Sequence, residues 1–268
     1  MLLAIDAGNT NVEFAVFENN HLMAQWRACS SHKRTADEWA SWLIGLMGLE
    51  GIDHTKIRNS IIACVVPDML WDLTDLCRRH FGHQAMVVGH DRLDLGLSSE
   101  VGAPEEVGAD LLVTCAAVKA IHGGPALILD MGTATTLSLL NHHGNFAGVA
   151  IAPGLNLAIE ALTAGAACLP QVSWSRTDKV IGTTTISAIQ GGVFWGYLGL
   201  VENLIRHAKE QYIEEHPEST IKVIATGGLG RHVVGETDLI DQYDEDLALK
   251  GLQLIAQANL QHACHVAM

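Results

Sequence analysis

Apolar and polar positions follow one pattern at the start of the chain, and the same pattern returns near its middle. Leu2-Leu3-Ala4-Ile5 runs into Asp6-Ala7-Gly8-Asn9-Thr10, and Ala126-Leu127-Ile128-Leu129 runs into Asp130-Met131-Gly132-Thr133-Ala134. Asp6 and Gly8 map onto Asp130 and Gly132 at an offset of 124 residues. Beyond each turn the alternation is that of a half-buried strand, in Asn11 to Phe17 and again in Thr135 to Leu140. Polar turns follow at Glu18-Asn19-Asn20 and His142-His143-Gly144-Asn145. Third strands come next, through Leu22 to Trp26 and Phe146 to Ala150.

Helical spacing then takes over. Thr35-Ala36-Asp37-Glu38 forms a capping box, and Trp39, Trp42, Leu43, Leu46 and Met47 share one face behind it. In the second copy Pro153-Gly154 opens a helix through Leu155, Ile159 and Leu162. A long helix is expected from about 185 to 211, a strand at 221–225 and a last helix over about 245–260. The reading is an α/β protein made of two duplicated domains, 1–117 and 118–268, each opening strand, strand, strand, helix. A cleft between such domains is the default ligand site.

Composition narrows the class. With 49% apolar and 17% charged residues over 268 positions, the chain can bury a large core and is not disordered. Sixteen Lys and Arg against 30 Asp and Glu leave a net charge of −14, which argues against nucleic-acid and anionic-membrane partners. No apolar run approaches the ~20 residues of a membrane span, and Asp6 interrupts the first apolar stretch. The six cysteines form no Cys-x-x-Cys pair. A reduced cytoplasmic protein is expected. The tail His262-Ala263-Cys264-His265 holds metal-ligand residue types but reads as a helix end.

The chemistry concentrates at strand ends. Gly8 lets a ligand approach the backbone, whose successive N–H groups can form an anion-binding concavity. Asn9 and Thr10 add donors, and Asp6 is placed to hold a hydrated Mg²⁺ that bridges phosphate oxygens. The second turn, Asp130 to Thr136, offers hydroxyls and N–H groups in the same arrangement. Thr226-Gly227-Gly228-Leu229-Gly230 is a third glycine turn at a strand end, suited to packing against adenosine. Each motif alone can also be read as an ordinary turn. No GxxxxGK[ST] loop occurs, which excludes a P-loop. Pro104 is expected to open a helix with Asp110 about two turns inside it. That carboxylate is either a partly exposed surface group or an acid/base that takes the proton of a substrate hydroxyl.

The paired Asp-x-Gly turns resemble those of the actin, hexokinase and Hsp70 group, whose domains are ribonuclease-H-like and enclose an interdomain cleft. In more detail the chain resembles the type III pantothenate kinases. The likeness runs through Asp6 to Asn11, Arg34 to Glu38, Ser60 to Pro67, Gly108-Ala109-Asp110, Asp130 to Thr136, Ile151 to Gly154, Val180 to Thr185 and Ala225 to Leu229. The resemblance implies ATP-dependent phosphorylation of pantothenate, the first step of coenzyme A synthesis, by a homodimer. It implies that Asp6, Ala7, Gly8, Asn9, Thr10, Asn11, Val12 and Glu13 line the ATP site together with Thr133. It implies Asp110 as proton acceptor, and Gly108, Ala109, Asp110, Leu111 and Thr185 as pantothenate contacts. Asp130 would help bind a monovalent cation, K⁺ or NH₄⁺, and Asp6 would act on Mg²⁺ through ATP. The family usually has Arg where this chain has Leu111, and a Tyr-Asp-Asn-Pro stretch where it has Val101-Gly102-Ala103-Pro104. The other readings are a kinase of a different small hydroxylated compound and a nucleotide-binding regulator without catalysis.

Overall fold

A computed structural model of the chain describes residues 1–166 and 168–266, the last four by backbone alone. The Cys264-His265 part of the tail therefore lies outside the described side chains. The chain forms two compact units. The first comprises Met1–Ser98, Gly102–Ile121 and the chain from Leu247 onward, and the second comprises Ser99–Val101 and His122–Asp246. A boundary at residues 117 and 118 would cut the helix Ala109–His122, and the chain returns to the first unit for its last helix.

In the first unit, β1 (Leu2–Ala7), β2 (Asn11–Glu18), β3 (His21–Cys29), β4 (Asn59–Cys64) and β5 (Met86–Val87) form one sheet in the order β3-β2-β1-β4-β5. The β1–β2 and β2–β3 pairs are antiparallel, whereas β1–β4 and β4–β5 are parallel. Alternation along β1 divides its side chains between two cores. Leu3, Ile5 and Ala7 meet α1 (Ala36–Leu49) and α2 (Pro67–His80). Trp39 of α1 is fully buried, its ring centroid 5.2 Å from that of Phe14. The expected capping box is formed, with the Thr35 N–H donating to Glu38 Oε2 at 2.8 Å and the Glu38 N–H donating to Thr35 Oγ1 at 3.4 Å. On the opposite face Ala4, Ala15 and Ala63 meet α3 (Ala109–His122) and α7 (Leu247–Val266) through Val113, Leu252 and Ile255. Small strand residues there let the two helices lie close to the sheet.

The second unit repeats the plan. Its strands β6 (Ala126–Met131), β7 (Ala134–Leu140), β8 (Phe146–Pro153), β9 (Lys222–Thr226) and β10 (Gln242–Tyr243) are ordered β10-β9-β6-β7-β8. The antiparallel and parallel pairings match those of the first sheet strand for strand. Odd-numbered residues of β6 pack against α5 (Thr185–Glu215) through Tyr197, Leu198, Val201 and Ile205. The helices α4 (Leu155–Gly165) and α6 (Gly230–Val233) follow β8 and β9. The duplication expected from the 124-residue offset is thus present in topology. The register adds a detail, because Ala7 faces Val12 while Met131 faces Thr135. The second turn is one residue shorter, so Glu13 corresponds to Thr136.

One expected element differs. Pro104–Glu106 is a separate 3₁₀ turn, Val107 is extended, and α3 starts only at Ala109. Asp110 therefore sits in the first turn of α3, not two turns inside a longer helix. Gly108 lies before the helix, so it imposes no helix-interior cost.

Candidate active site

The first Asp-x-Gly turn stands at the carboxyl end of β1, where β1 and β4 run parallel. Such strand ends are where open α/β sheets bind ligands. The Gly8 N–H donates to the Asn11 carbonyl at 3.0 Å, closing the turn, and the Ser30 hydroxyl donates to the Gly8 carbonyl at 2.5 Å. Asn9 and Thr10 are exposed at the tip. Ala7 and Val12 point their side chains into the core, so they can reach a ligand only through backbone groups. Asp6 lies opposite Glu13 and beside Ala63, on the face that α3 covers. Glu13 is paired with Arg27 of β3. Burial pushes the Cys64 thiol up, and the Asp6 carboxylate nearby raises it further. That thiol is accordingly a neutral wall of the site.

Asp110 reaches the same end of the sheet. The Val65 N–H donates to the Ala7 carbonyl at 3.0 Å, and Val65 lies against Gly108. A Cβ on Gly108 would overlap Asp110 Oδ1, so the carboxylate folds back over bare backbone. The Leu111 N–H donates to the same oxygen at 2.8 Å. Burial nevertheless dominates and raises the Asp110 carboxyl above its ordinary value, while the Leu111 amide pulls the other way. A carboxyl so placed is a stronger base than a solvated one. Ala109 is buried and Leu111 half-buried.

In the second unit the Gly132 N–H donates to the Ala134 carbonyl at 3.0 Å, the same closure as at Gly8. Two further glycines press on this turn. A Cβ on Gly154 would overlap Thr133 O and lie 2.6 Å from Gly132 O. Gly227, at φ +86°, would place a Cβ 2.5 Å from Asp130 Oδ1. The structure therefore brings the second and third glycine turns together around Asp130. Tyr243 holds the third by donating its hydroxyl to the Gly227 carbonyl at 3.0 Å. Tyr197 of α5 shares a 2.7 Å hydrogen bond with the Thr135 hydroxyl. Thr185 is the first residue of α5 and lines an apolar cavity of about 420 Å³ with Leu162 and Ile189.

Asp130 stands in register with Thr136 on one side and Thr226 on the other. The Thr136 hydroxyl is buried and has no hydrogen-bond partner. A buried, unpaired hydroxyl costs stability unless a ligand accepts it. One carboxylate flanked by hydroxyls suits a weakly hydrated monovalent cation, whereas the Asp6 and Glu13 carboxylates suit a hard divalent ion. The sequence places Thr136 in the Asp130 to Thr136 stretch, and only the hairpin register shows which threonine faces Asp130.

These two sheets, with a strand-end Asp-x-Gly turn in each, define the class: an ATPase-type fold of the actin, hexokinase and Hsp70 group. The fold is shared with a protein described as a conserved Baf family transcriptional activator from Campylobacter jejuni. That likeness has a TM-score of 0.59 at 18% identity and covers 97% of this chain and 99% of that one. It is shared too with the activator of 2-hydroxyisocaproyl-CoA dehydratase from Clostridium difficile, at a TM-score of 0.52 and 13% identity, over 99% of this chain and 96% of that one. The family model of type III pantothenate kinase matches residues 2–207. The type III pantothenate kinase of Paramagnetospirillum magneticum is 46% identical over 97% of this chain and 98% of its own length. The chain belongs to the type III pantothenate kinase family. Among the described residues no helix is long and apolar enough to cross a membrane.

The raised Asp110 carboxyl has a stability signature. Its folded pKa lies above its unfolded one, so the native state binds the extra proton between the two values. Stability is undiminished below the unfolded pKa and falls as pH rises through the folded pKa. Asp110→Asn removes this term. Urea unfolding should therefore show the variant gaining stability relative to the parent between pH 4 and pH 7.5. An unchanged difference would mean that Asp110 is not held in an environment that penalises its charge.

Proposed function

We propose that this chain transfers the γ-phosphoryl group of ATP to the primary hydroxyl of pantothenate, giving ADP and 4′-phosphopantothenate. Family membership supports the substrate pair. The observation that carries the mechanism is the burial-raised Asp110 carboxyl at the strand end that also bears Asp6. The exposed turn residues Asn9 and Thr10 and, in the second unit, Thr133 are the ones we assign to the ATP phosphates. Asp6 and Glu13 are the carboxylates that would hold Mg²⁺, which would supply charge neutralisation at the phosphates, and Arg27 is paired with Glu13. Asp110 takes the hydroxyl proton as the oxygen bonds to phosphorus. Asp130 and Thr136 are the residues that would hold K⁺ or NH₄⁺, which would offset part of the surplus negative charge.

The acceptor lies against Gly108, Ala109, Leu111 and Thr185. Leu111 offers its carboxylate no charge. Arg176 is occupied by Glu236 at 2.6 Å and Asp178 at 2.5 Å. Lys179 precedes Thr185 closely, and its carbonyl would lie 2.9 Å from a Cβ on Gly191 of α5. It is the cation we assign to the pantothenate carboxylate. The active form is a cytoplasmic homodimer. Ile181 is 81% exposed and Ile151 69%, and Val180 and Ile186 are exposed as well, an apolar surface that a second copy would cover. Sedimentation of the purified protein reads this directly.

Coupling ADP release to added pantothenate tests the activity itself. Asp110→Asn should bind ATP almost normally and lose about 10²–10⁴ in kcat, whereas Asp6→Asn should raise the Mg²⁺ and ATP requirement. Full turnover by the Asp110→Asn enzyme would remove Asp110 from the reaction.

Activity should need K⁺ or NH₄⁺ and fail in Na⁺ alone. Thr136→Val should raise the K⁺ concentration required and also reduce the rise in melting temperature that K⁺ produces. Equal rates in all three salts would overturn the cation assignment.

Lys179→Ala should raise the KM for pantothenate about tenfold or more, the effect of losing a charged hydrogen bond of ~2 kcal/mol, with the KM for ATP unchanged. An unaltered pantothenate KM would place carboxylate recognition elsewhere.

A further inference from the structure

The first unit carries a second cavity, of about 390 Å³, at the opposite end of β1 from Asp6. Leu2 lines it, four residues from Asp6 along the strand, which is about 13 Å at ~3.3 Å per residue. None of the residues assigned to ATP, pantothenate or either cation lines it. Its composition is unusual for this chain. Asn19, Asn20, Asn59, Gln253, Gln257 and Gln261 contribute six primary amides, and among the described residues no formally charged side chain takes part. The whole chain has only 10 Asn and 9 Gln, against 46 charged residues. Six amides among ten lining residues is therefore a concentration, not a sample of the surface.

The amides are also held. Gln253 is only 8% exposed, and its Nε2 donates to Asn20 Oδ1 at 2.8 Å and to Gln257 Oε1 at 3.2 Å. Asn19 and Asn20 occupy the left-handed region at φ 48° and 67°, which fixes the β2–β3 turn and the direction of both side chains. Leu2, Phe17 and Leu260 supply an apolar surface beside these groups.

A primary amide presents a donor and an acceptor side by side, the arrangement that reads the edge of a nucleobase with two hydrogen bonds. Apolar side chains beside it suit the faces of a flat ring. Among the described residues no Lys, Arg or His side chain lines the cavity to neutralise a phosphate, and the ammonium of the lining residue Met1 donates to the Lys56 carbonyl at 3.2 Å. No Asp or Glu lines it to hold an ammonium. The volume lies within the usual range of small-molecule pockets. We propose that this cavity is a binding site for an uncharged, planar heterocycle of the nucleobase class, separate from the kinase site and independent of its assignment.

Saturation-transfer NMR with adenine and uracil as probes, recorded with the kinase site filled by excess Mg·ADP, tests this. Transfer to at least one base is expected, without competition from ADP. Gln257→Met and Asn59→Leu should each weaken that binding about tenfold or more, as expected for loss of one edge contact. Neither change should alter pantothenate phosphorylation, whose loss would instead concern the kinase reading. Adding a 5′-phosphoribosyl group to the base should not tighten binding. No transfer from either base at millimolar concentration would overturn the proposal, as would binding that is undiminished in both folded variants.

Discussion

Two carboxylates, Asp110 in the first turn of α3 and Asp130 near the end of β6, depend on close approach to bare peptide backbone. Asp110 folds over Gly108, and Asp130 lies against Gly227, each at a distance that a Cβ would forbid. These contacts determine where each carboxylate oxygen points before any ligand arrives. Preorganisation of this kind matters because a group that must be reoriented during reaction loses much of its catalytic effect. The sheets supply the rigidity behind it, with β1 and β6 each paired on both sides.

The two units share a topology and divide the chemistry. Opposite the strand-end aspartate, the first sheet presents Glu13 and the second presents Thr136. One substitution in the register row thus separates a two-carboxylate site from a site with one carboxylate and a buried hydroxyl. In the first pair Glu13 has Arg27 beside it. The second is closer to neutral, in keeping with a monovalent ion. The duplicated scaffold is the same in both units, and the register-level difference lies at Glu13 and Thr136.

Much of this was legible in the chain itself, for identifiable reasons. Period-2 alternation and the repeated Asp-x-Gly turn located β1, β2, β3, β6, β7 and β8, because strand faces and turns leave local signatures. The capping box at Thr35 and Glu38 is formed as its residue types required. The start of α3 was not legible: Pro104 satisfies the rules for a helix beginning, yet it opens only a 3₁₀ turn, and the helix waits for Gly108. At that start the Asp110 carboxylate folds back against Gly108, an arrangement that no periodicity reports. The return of α7 to the first unit was hidden for the same reason, since it rests on packing against β1 and β4 across more than 180 residues of chain. The pairing of Asp130 with Thr136 and the clustering of six amides also depend on register and tertiary placement.

The most direct test of the account is the nucleotide affinity of Gly154→Ala, measured by calorimetry with a non-hydrolysable ATP analogue and Mg²⁺. The added methyl must displace Thr133 or Gly132, while Asp6, Asp110 and their unit are untouched. The account predicts a folded protein whose affinity for the analogue falls about tenfold or more, the result expected from the proposed ATP contact at Thr133. Unchanged affinity in a folded Gly154→Ala protein would contradict it.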